Sequence, residues 1–310
     1  MSQSTPSLPA DIEMFDRVQV RRQRERAART GSFVDFVKNL MVEDIADRLM
    51  FINRPFKRIL DLGSHDGRLG RMLAARYPDA TVVYADPAEG WLTRPDSQIE
   101  HGVACDADFL PFADESFDLV VSAGLLHWTN DLPGALIQIN RALTPDGLFM
   151  ASFPGGDTLF ELRRTLFEAE EELLGGVAPR VAPMIEVRDA GSLLQRAGFA
   201  MPVSDSDPFT VAYEHPLKLL AELRAMGETN AQASRSRSFL RRDVLMRAAA
   251  LYAERFSRED GKVLATVEII SLSGWAPGPG QPKPLRPGSA KVRLADALGV
   301  KEQPAGDKTG

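Results

Sequence analysis

Between residues 57 and 153, short apolar runs alternate with segments in which apolar residues recur at helical spacing. The apolar runs predict strands at residues 58–62, 81–85, 99–104, 117–122 and 148–153. The segments between them predict helices, for example at 67–76 and 132–143. Regular alternation of strand and helix is typical of a parallel sheet with helices on both faces. The pattern therefore predicts an α/β fold of the doubly wound, Rossmann-like type, with a mostly parallel sheet.

The chain before this region has a different pattern. Residues 1–10 are polar and predict a flexible arm, whereas residues 11–52 predict N-terminal helices, the second of them at 33–50. The first helix contains a basic run at 21–26, which we interpret as a solvated helix face in preference to a site for an anionic partner.

After the fifth strand the pattern becomes mostly helical. Residues 158–174 and 188–197 predict helices, and residues 201–213 predict a pair of strands. A helical insertion at about 215–256 precedes a last strand at 263–274. The main domain is thus expected to span 53–275, and residues 276–310, rich in proline and glycine, predict an extended or disordered tail.

Composition narrows the function classes. The chain has 310 residues, of which 44% are hydrophobic and 26% charged, as in ordinary globular proteins. A net charge of −6 argues against a nucleic-acid binder. The single cysteine, Cys105, cannot form an internal disulfide. With no apolar run long enough to span a bilayer and no secretory signal pattern, we expect a cytoplasmic protein without a transmembrane segment.

The segment from Asp61 to Gly67 carries the strongest chemical signal. An apolar strand ends at Asp61, turns through Gly63 and Gly67, and enters a helix. Glycine lets the backbone approach a ligand, and the N-terminus of the helix suits the carboxylate of a bound amino acid. A plain strand-to-helix turn would look the same, so this segment alone leaves both readings open.

Two further acids follow the next two strands. Asp86 stands where a carboxylate can accept the hydroxyls of a ribose, and Asp106, followed by Ala107, stands where one can accept the adenine amino group. Three acids after three successive strands predict a site for S-adenosylmethionine (SAM). A nicotinamide dehydrogenase is the competing enzyme class, but its fingerprint needs glycine where His65 stands and usually lacks an acid at Asp61.

His127 and Trp128 follow the fourth strand, where substrate and cofactor would meet. His127 is a candidate base, although a core histidine with satisfied hydrogen bonds is an equally good interpretation. Trp128 is expected to shape the substrate pocket.

Several segments carry a resemblance to known families. Residues 106–112, 116–122 and 126–128 resemble the class I methyltransferases of the biotin-synthesis type. More specific matches cover nearly the whole chain and resemble the bacterial form of the respiratory complex I assembly factor 5 family: 15–17 with 23–28, 155–159, 226–231, and 274–275 with 281–284 and 288–290. The resemblance implies a class I methyltransferase fold and hydroxylation of an arginine on a complex I subunit.

Carried over by position, the resemblance implies that Asp61, Gly63 and Gly67 line the methionine end of SAM, Asp86 the ribose and Asp106 the adenine. His65 departs from the usual glycine, and its side chain either crowds the cofactor or contacts its carboxylate.

An arginine substrate requires carboxylates, because a guanidinium binds them in a two-pronged, charge-assisted pair. Asp157 and Glu161 are candidates after the fifth strand, and Glu228 with Asn230 could close over the site from the insertion. Helix capping by Asp157 and solvent exposure of Glu228 are the simpler alternatives.

Three functions remain open from the sequence. The first is a SAM-dependent enzyme that modifies an arginine of a complex I subunit, associated peripherally with the membrane-bound complex. The second is a carboxyl methyltransferase acting on a carrier-bound acyl chain, for which a basic rim would be expected from Arg235, Arg237, Arg241 and Arg242. The third is a non-catalytic assembly chaperone. Four scattered histidines show no two-His-one-carboxylate spacing, so no metal site is predicted.

Overall fold

The computed structural model describes residues 13–30 and 35–281, together with the isolated positions 292, 296 and 299. The chain divides into two units, residues 1–279 and 280–310, and everything that follows concerns the first. The arm predicted at 1–10 and most of the predicted tail lie outside the described residues.

The strands are β1 (Arg58–Leu62), β2 (Thr81–Asp86), β3 (Gly102–Ala104), β4 (Phe117–Ala123), β5 (Leu143–Gly155), β6 (Ala200–Tyr213) and β7 (Val263–Trp275). They form one sheet in the order β3-β2-β1-β4-β5-β7-β6. The first five run parallel, whereas β7 is antiparallel to both β5 and β6. The predicted mostly parallel, doubly wound sheet is confirmed.

The helices of the described residues are α1 (Arg17–Thr30), α2 (Phe36–Met50), α3 (Arg68–Arg76), α4 (Glu89–Leu92), α5 (Leu132–Ala142), α6 (Phe160–Leu174), α7 (Val187–Arg196), α8 (Pro216–Met226) and α9 (Arg242–Phe256). Apolar residues of the sheet pack into two clusters, one on each face, and α2 contributes Met41, Ile45 and Leu49 to one of them. A third cluster joins α6, α8 and α9 to the start of β7. None of the described helices combines the length and apolar character that a bilayer span requires.

Two predicted elements differ from the structure. The strand pair expected at 201–213 is one continuous strand, β6, whose residues pair with β7 over nearly the whole length. The strand expected at 99–104 is reduced to β3, because only residues 102–104 pair with β2. The predicted strand at 99–104 is therefore too long, because residues 100 and 101 form a bend. In both cases pairing with a distant strand decides where a strand begins and ends.

Candidate functional site

The carboxyl ends of β1, β2 and β4 meet where the strand order reverses between β1 and β4. Open α/β sheets bind ligands at such a point. Gly63, with φ +77°, turns the chain out of β1, and a Cβ there would lie 2.5 Å from Cβ of Leu125. Gly67, with φ +79°, precedes the first residue of α3. Both glycines are therefore required by the geometry of this turn.

Asp61 is fully buried at the end of β1. Its Oδ2 accepts a hydrogen bond from the backbone N–H of Gly70 at 2.9 Å, while Oδ1 finds no donor among the described residues. Burial raises the pKa of Asp61 to about 6, although the positive charge of nearby Lys38 acts to lower it. The carboxyl group thus has an unused acceptor inside the protein.

Asp86, at the end of β2, is also fully buried and accepts the backbone N–H groups of His65 at 3.0 Å and Ala88 at 2.9 Å. Its Oδ2 lies 2.6 Å from Nη2 of Arg24, and Nε of Arg24 is 3.3 Å from Oδ1. Burial works to raise the pKa of Asp86, but the Arg24 guanidinium outweighs it and holds this pKa below its ordinary value.

Lys38 of α2 reaches the same sheet edge. Its Nζ donates to the backbone carbonyl oxygens of Gly63 at 3.0 Å and Ala123 at 2.6 Å. Burial lowers the pKa of Lys38 to about 8, although the nearby carboxylates, above all Asp61, favour its charged form.

The remaining predicted cofactor residues lie around this edge. Oδ1 of Asp106 accepts the backbone N–H of Asp108 at 3.0 Å, and burial raises the pKa of Asp106. Asp106 and Ala107 border a space of about 20 Å³ between Val20 of α1 and Leu125, and Asp106 also borders a space of about 580 Å³ beside Phe109. The ring of His65 lies against that of Trp91, with centroids 3.6 Å apart and the planes tilted by 32°.

A second cavity, of about 610 Å³, lies beneath the insertion. His127, Trp128, Glu228 and Asn230 contribute polar groups to its wall, and Arg180 and Arg224 also line it. Much of the rest is aliphatic: Leu159, Leu162, Leu166, Leu217, Leu220, Leu223, Leu240, Leu245 and Val181. Such a lining suits a long, largely apolar side chain with a polar end.

Glu228 connects the polar groups of this cavity. Its Oε2 accepts the indole N–H of Trp128 at 2.8 Å and lies 2.9 Å from Nε2 of His127. Burial works to raise the pKa of Glu228, but His127 and Arg24 hold it below its ordinary value, so Glu228 is ionised. Nδ1 of His127 has no hydrogen-bond partner within the described part of the chain.

Asp157 and Glu161 do not line this cavity. The side chain of Asp157 is exposed, and its backbone N–H donates a hydrogen bond to Oε2 of Glu268. Oε1 of Glu161 accepts both the backbone N–H and the hydroxyl of Thr266, which ties α6 to β7. Asn230 lines the cavity, but its side-chain amide donates to the carbonyl of Pro179 at 2.7 Å.

The sequence pattern did not lead us to predict Arg24 or Lys38 as residues of the site. We expected the basic run at 21–26 to be solvated, and this is wrong for Arg24, which is 3% exposed. A signal was present, because the buried positions Val20, Gln23, Arg24, Ala27 and Ala28 follow helical spacing. Lys38 likewise shares a helix face with Met41, Val42 and Ile45.

In the described ranges, no group of three or more His, Cys, Asp or Glu side chains is placed to hold a metal ion.

Known proteins resemble this chain both in fold and in amino-acid sequence. A family profile described as "Methyltransferase domain" matches residues 60–151. A Bacillus halodurans structure assigned as a methyltransferase superposes with a TM-score of 0.53 at 17% identity, over 76% of this chain and 99% of that one. The fold is therefore that of class I methyltransferases.

Closer relatives extend over most of the chain. The "Arginine-hydroxylase NDUFAF5, mitochondrial" of Danio rerio is 38% identical over 92% of this chain and 89% of its own, and that of Homo sapiens is 40% identical over 93% and 84%. The "Malonyl-[acyl-carrier protein] O-methyltransferase" of Halorhodospira halophila is 32% identical over 87% and 91%. The chain belongs to the NDUFAF5 family of the class I, SAM-dependent methyltransferases.

Proposed function

We propose that the chain modifies an arginine side chain of a respiratory complex I subunit, by hydroxylation as in the relatives named arginine hydroxylases. The observation that carries this proposal is the ionised Glu228 beside the aliphatic side chains of the cavity wall. Of the two arginines that also line the cavity, Arg180 is already paired with Glu170. The methylene stem of an arginine fits an aliphatic wall, and its guanidinium requires a carboxylate.

The residues at the sheet edge fit SAM by their chemistry. The carbonyls of Gly63 and Ala123 already hold an ammonium group, that of Lys38, and Oδ1 of Asp61 is a buried acceptor without a donor in the described ranges. We assign Asp61, Gly63 and Gly67 to the amino-acid end, Asp86 to the ribose, and Asp106 with Ala107 to the adenine. In the methylation alternatives, the bound cofactor would supply an electrophilic methyl group.

We assign substrate binding to Glu228, with Trp128 and Asn230 shaping the cavity. Oε2 of Glu228 is used by His127 and Trp128, which leaves Oε1 as an acceptor for a guanidinium N–H. Nδ1 of His127 has no partner among the described residues, so His127 is the candidate base for the N–H proton that a guanidinium would lose if the reaction were methylation. We further propose that the insertion at about 215–256 acts as the lid, because Leu217, Leu220 and Leu240 contribute to the wall.

Hydroxylation replaces one hydrogen of a C–H bond with a hydroxyl group. The oxygen atom would come from an external oxidant of the dioxygen class, with a two-electron donor reducing the second oxygen atom to water.

The second candidate is carboxyl methylation of a carrier-bound acyl chain, which the malonyl-carrier-protein relatives and the aliphatic cavity favour. The basic rim expected for it is not formed by the predicted residues. None of Arg235, Arg237, Arg241 and Arg242 lines the cavity; Arg235 is paired with Asp16, and Arg241 with Asp243. Two other arginines, Arg180 and Arg224, line the cavity, and Arg180 is paired with Glu170.

Mass spectrometry of complex I subunits from a deletion strain tests the proposal. We expect one arginine-containing peptide to be lighter by one oxygen atom in the deletion strain and to recover its mass when the wild-type gene is restored. Glu228→Gln should reduce the modified fraction at least about tenfold, since a charge-assisted hydrogen bond contributes about 1.5–3 kcal/mol.

The control is Glu214→Gln, the same chemical change at an exposed position near the start of the insertion, which should restore full modification. A difference of one methylene group would instead mean methylation. Subunits of unchanged mass, with complex I still failing to assemble, would support the non-catalytic chaperone.

A further inference from the structure

The cofactor site is occupied by side chains of the N-terminal helices. Lys38 places an ammonium group on the carbonyls of Gly63 and Ala123, and the α-ammonium of an amino-acid cofactor needs acceptors of this kind. Lys38 is 9% exposed, so the contact lies inside the protein.

Arg24 occupies the neighbouring acceptor. Its guanidinium donates to both oxygens of Asp86 and, through Nη1, to the carbonyl of Gly124 at 3.3 Å. Both side chains of this ion pair are almost wholly excluded from solvent. With Asp86 bound in this way, its oxygens are not free for ribose hydroxyls.

The space that remains does not reach the acceptors that Lys38 and Arg24 occupy. The gap on the Val20 side of Asp106 measures about 20 Å³, little more than one water molecule needs. A wider space of about 580 Å³ borders Asp106 on the side of Phe109, but neither space is lined by Gly63 or Asp86. A ligand that enters beside Asp106 therefore cannot reach the ammonium and ribose acceptors while α1 and α2 keep these positions.

We infer that Arg24 and Lys38 hold the protein in a closed state in which their cationic groups substitute for the cofactor at the sheet edge, so that SAM binds only when α1 and α2 withdraw them. The inference rests on the assignment of this sheet edge to SAM; if the closed state is refuted, the proposed arginine-directed reaction still stands.

The energetics favour an exchangeable contact. Burial lowers the pKa of Lys38 to about 8, so its ammonium group is less stable here than in water. A ligand that brings its own ammonium and returns Lys38 to solvent removes this cost.

Helix α1 and the residue before it also contact the segment that carries Glu228. Oγ1 of Thr229 donates to Oε1 of Gln23 at 2.6 Å, and the backbone N–H of Asp16 donates to the carbonyl of Ala231 at 2.8 Å. Asp16 also pairs with Arg235 at 2.9 Å. Withdrawal of α1 would thus loosen the segment that carries Glu228, and cofactor binding would open the substrate cavity.

A disulfide lock tests the closed state directly. A Cβ at Gly90, at the start of α4, would lie 3.3 Å from Cβ of Ala28 in α1, near the 3.5–4.5 Å that disulfides span. The double variant Ala28→Cys/Gly90→Cys can therefore tie α1 to the sheet domain one turn after Arg24. The nearest atom, Oε2 of Glu25, ends a flexible side chain that can move aside.

Calorimetry with S-adenosylhomocysteine gives the readout. We expect the oxidised double variant to bind at least tenfold more weakly than the same protein after reduction with dithiothreitol, while each single variant binds equally under both conditions. Equal affinity in the oxidised and reduced forms, with the disulfide verified by intact mass, would overturn the closed state.

A charge-removal pair provides a second test. Lys38→Met keeps the length of the side chain but removes the competing ammonium, so S-adenosylhomocysteine should bind at least fivefold more tightly. Arg22→Met, on the exposed face of α1, is the matched control and should leave affinity unchanged. If a folded Lys38→Met variant bound S-adenosylhomocysteine equally or more weakly, the ammonium group of Lys38 would not be taking the place of the cofactor.

Discussion

At the scale of single residues, the chemistry of this protein is set by buried charges at one sheet edge. Asp61, Asp86, Arg24 and Lys38 have almost no solvent contact, and each depends on the others for compensation. Burying an ionised group is costly unless it is paired, so changes at these positions have effects that depend on pH.

Asp61→Asn should stabilise the protein at neutral pH. The folded pKa of about 6 lies above the ordinary 3.8, so the folded state binds the proton more tightly than the unfolded state. The stability that the folded protein gains from this tighter proton binding is fully present below about pH 4 and is lost as the pH rises through 6.

Urea unfolding at a series of pH values measures the effect. Wild type and Asp61→Asn should be equally stable near pH 4, and the variant should gain about 3 kcal/mol relative to wild type by pH 7. Asp157→Asn, at an exposed position, should follow wild type throughout. A constant difference between Asp61→Asn and wild type across this range would contradict the raised pKa.

At the scale of elements, close packing positions the turn after β1. Gly70 brings α3 against the ring of Tyr84 in β2, while its N–H anchors Asp61. The helix can therefore approach the sheet closely only at a residue without a side chain.

Gly70→Ala should destabilise the protein by about 1–3 kcal/mol, because its Cβ would lie 2.2 Å from Cε1 of the buried Tyr84 ring. Chemical denaturation provides the measurement. Gly176→Ala is the matched control, since no atom lies within 4 Å of a Cβ there, and its stability should stay within about 0.5 kcal/mol of wild type. Equal stabilities for the two variants would mean that α3 can shift without cost.

At the scale of the whole molecule, α1 joins parts of the chain that are far apart in sequence. Phe15, just before α1, packs edge-on against Trp128 with ring centroids 5.1 Å apart, in a buried cluster with Val20, Ala182 and Ala231. The sheet, the loop before α7 and the insertion thus meet at one place.

Phe15→Ala should cost about 3 kcal/mol of unfolding free energy, because it empties a buried aromatic position between these parts. Val18→Ala, at a position that is 58% exposed, should change stability by less than about 0.5 kcal/mol. Urea unfolding followed by circular dichroism compares the two. A similar small effect for both variants would show that the cluster contributes little to the association of these parts.

Local patterns were sufficient for much of this architecture. The strands at 58–62 and 81–85, the acids that end them and the glycine turn were predicted from residues adjacent in sequence, because strand and turn preferences act over a few positions. The family resemblance then extended the prediction to the fold and the cofactor.

The sequence by itself determined the alternation of strand and helix and the three acids that follow successive strands. Only the tertiary structure decided that Arg24 pairs with Asp86 and Lys38 with two carbonyls, that Glu228 rather than Asp157 lines the cavity, and that residues 200–213 form a single strand. These outcomes depend on contacts between segments about 25 to 100 residues apart, which no local periodicity encodes.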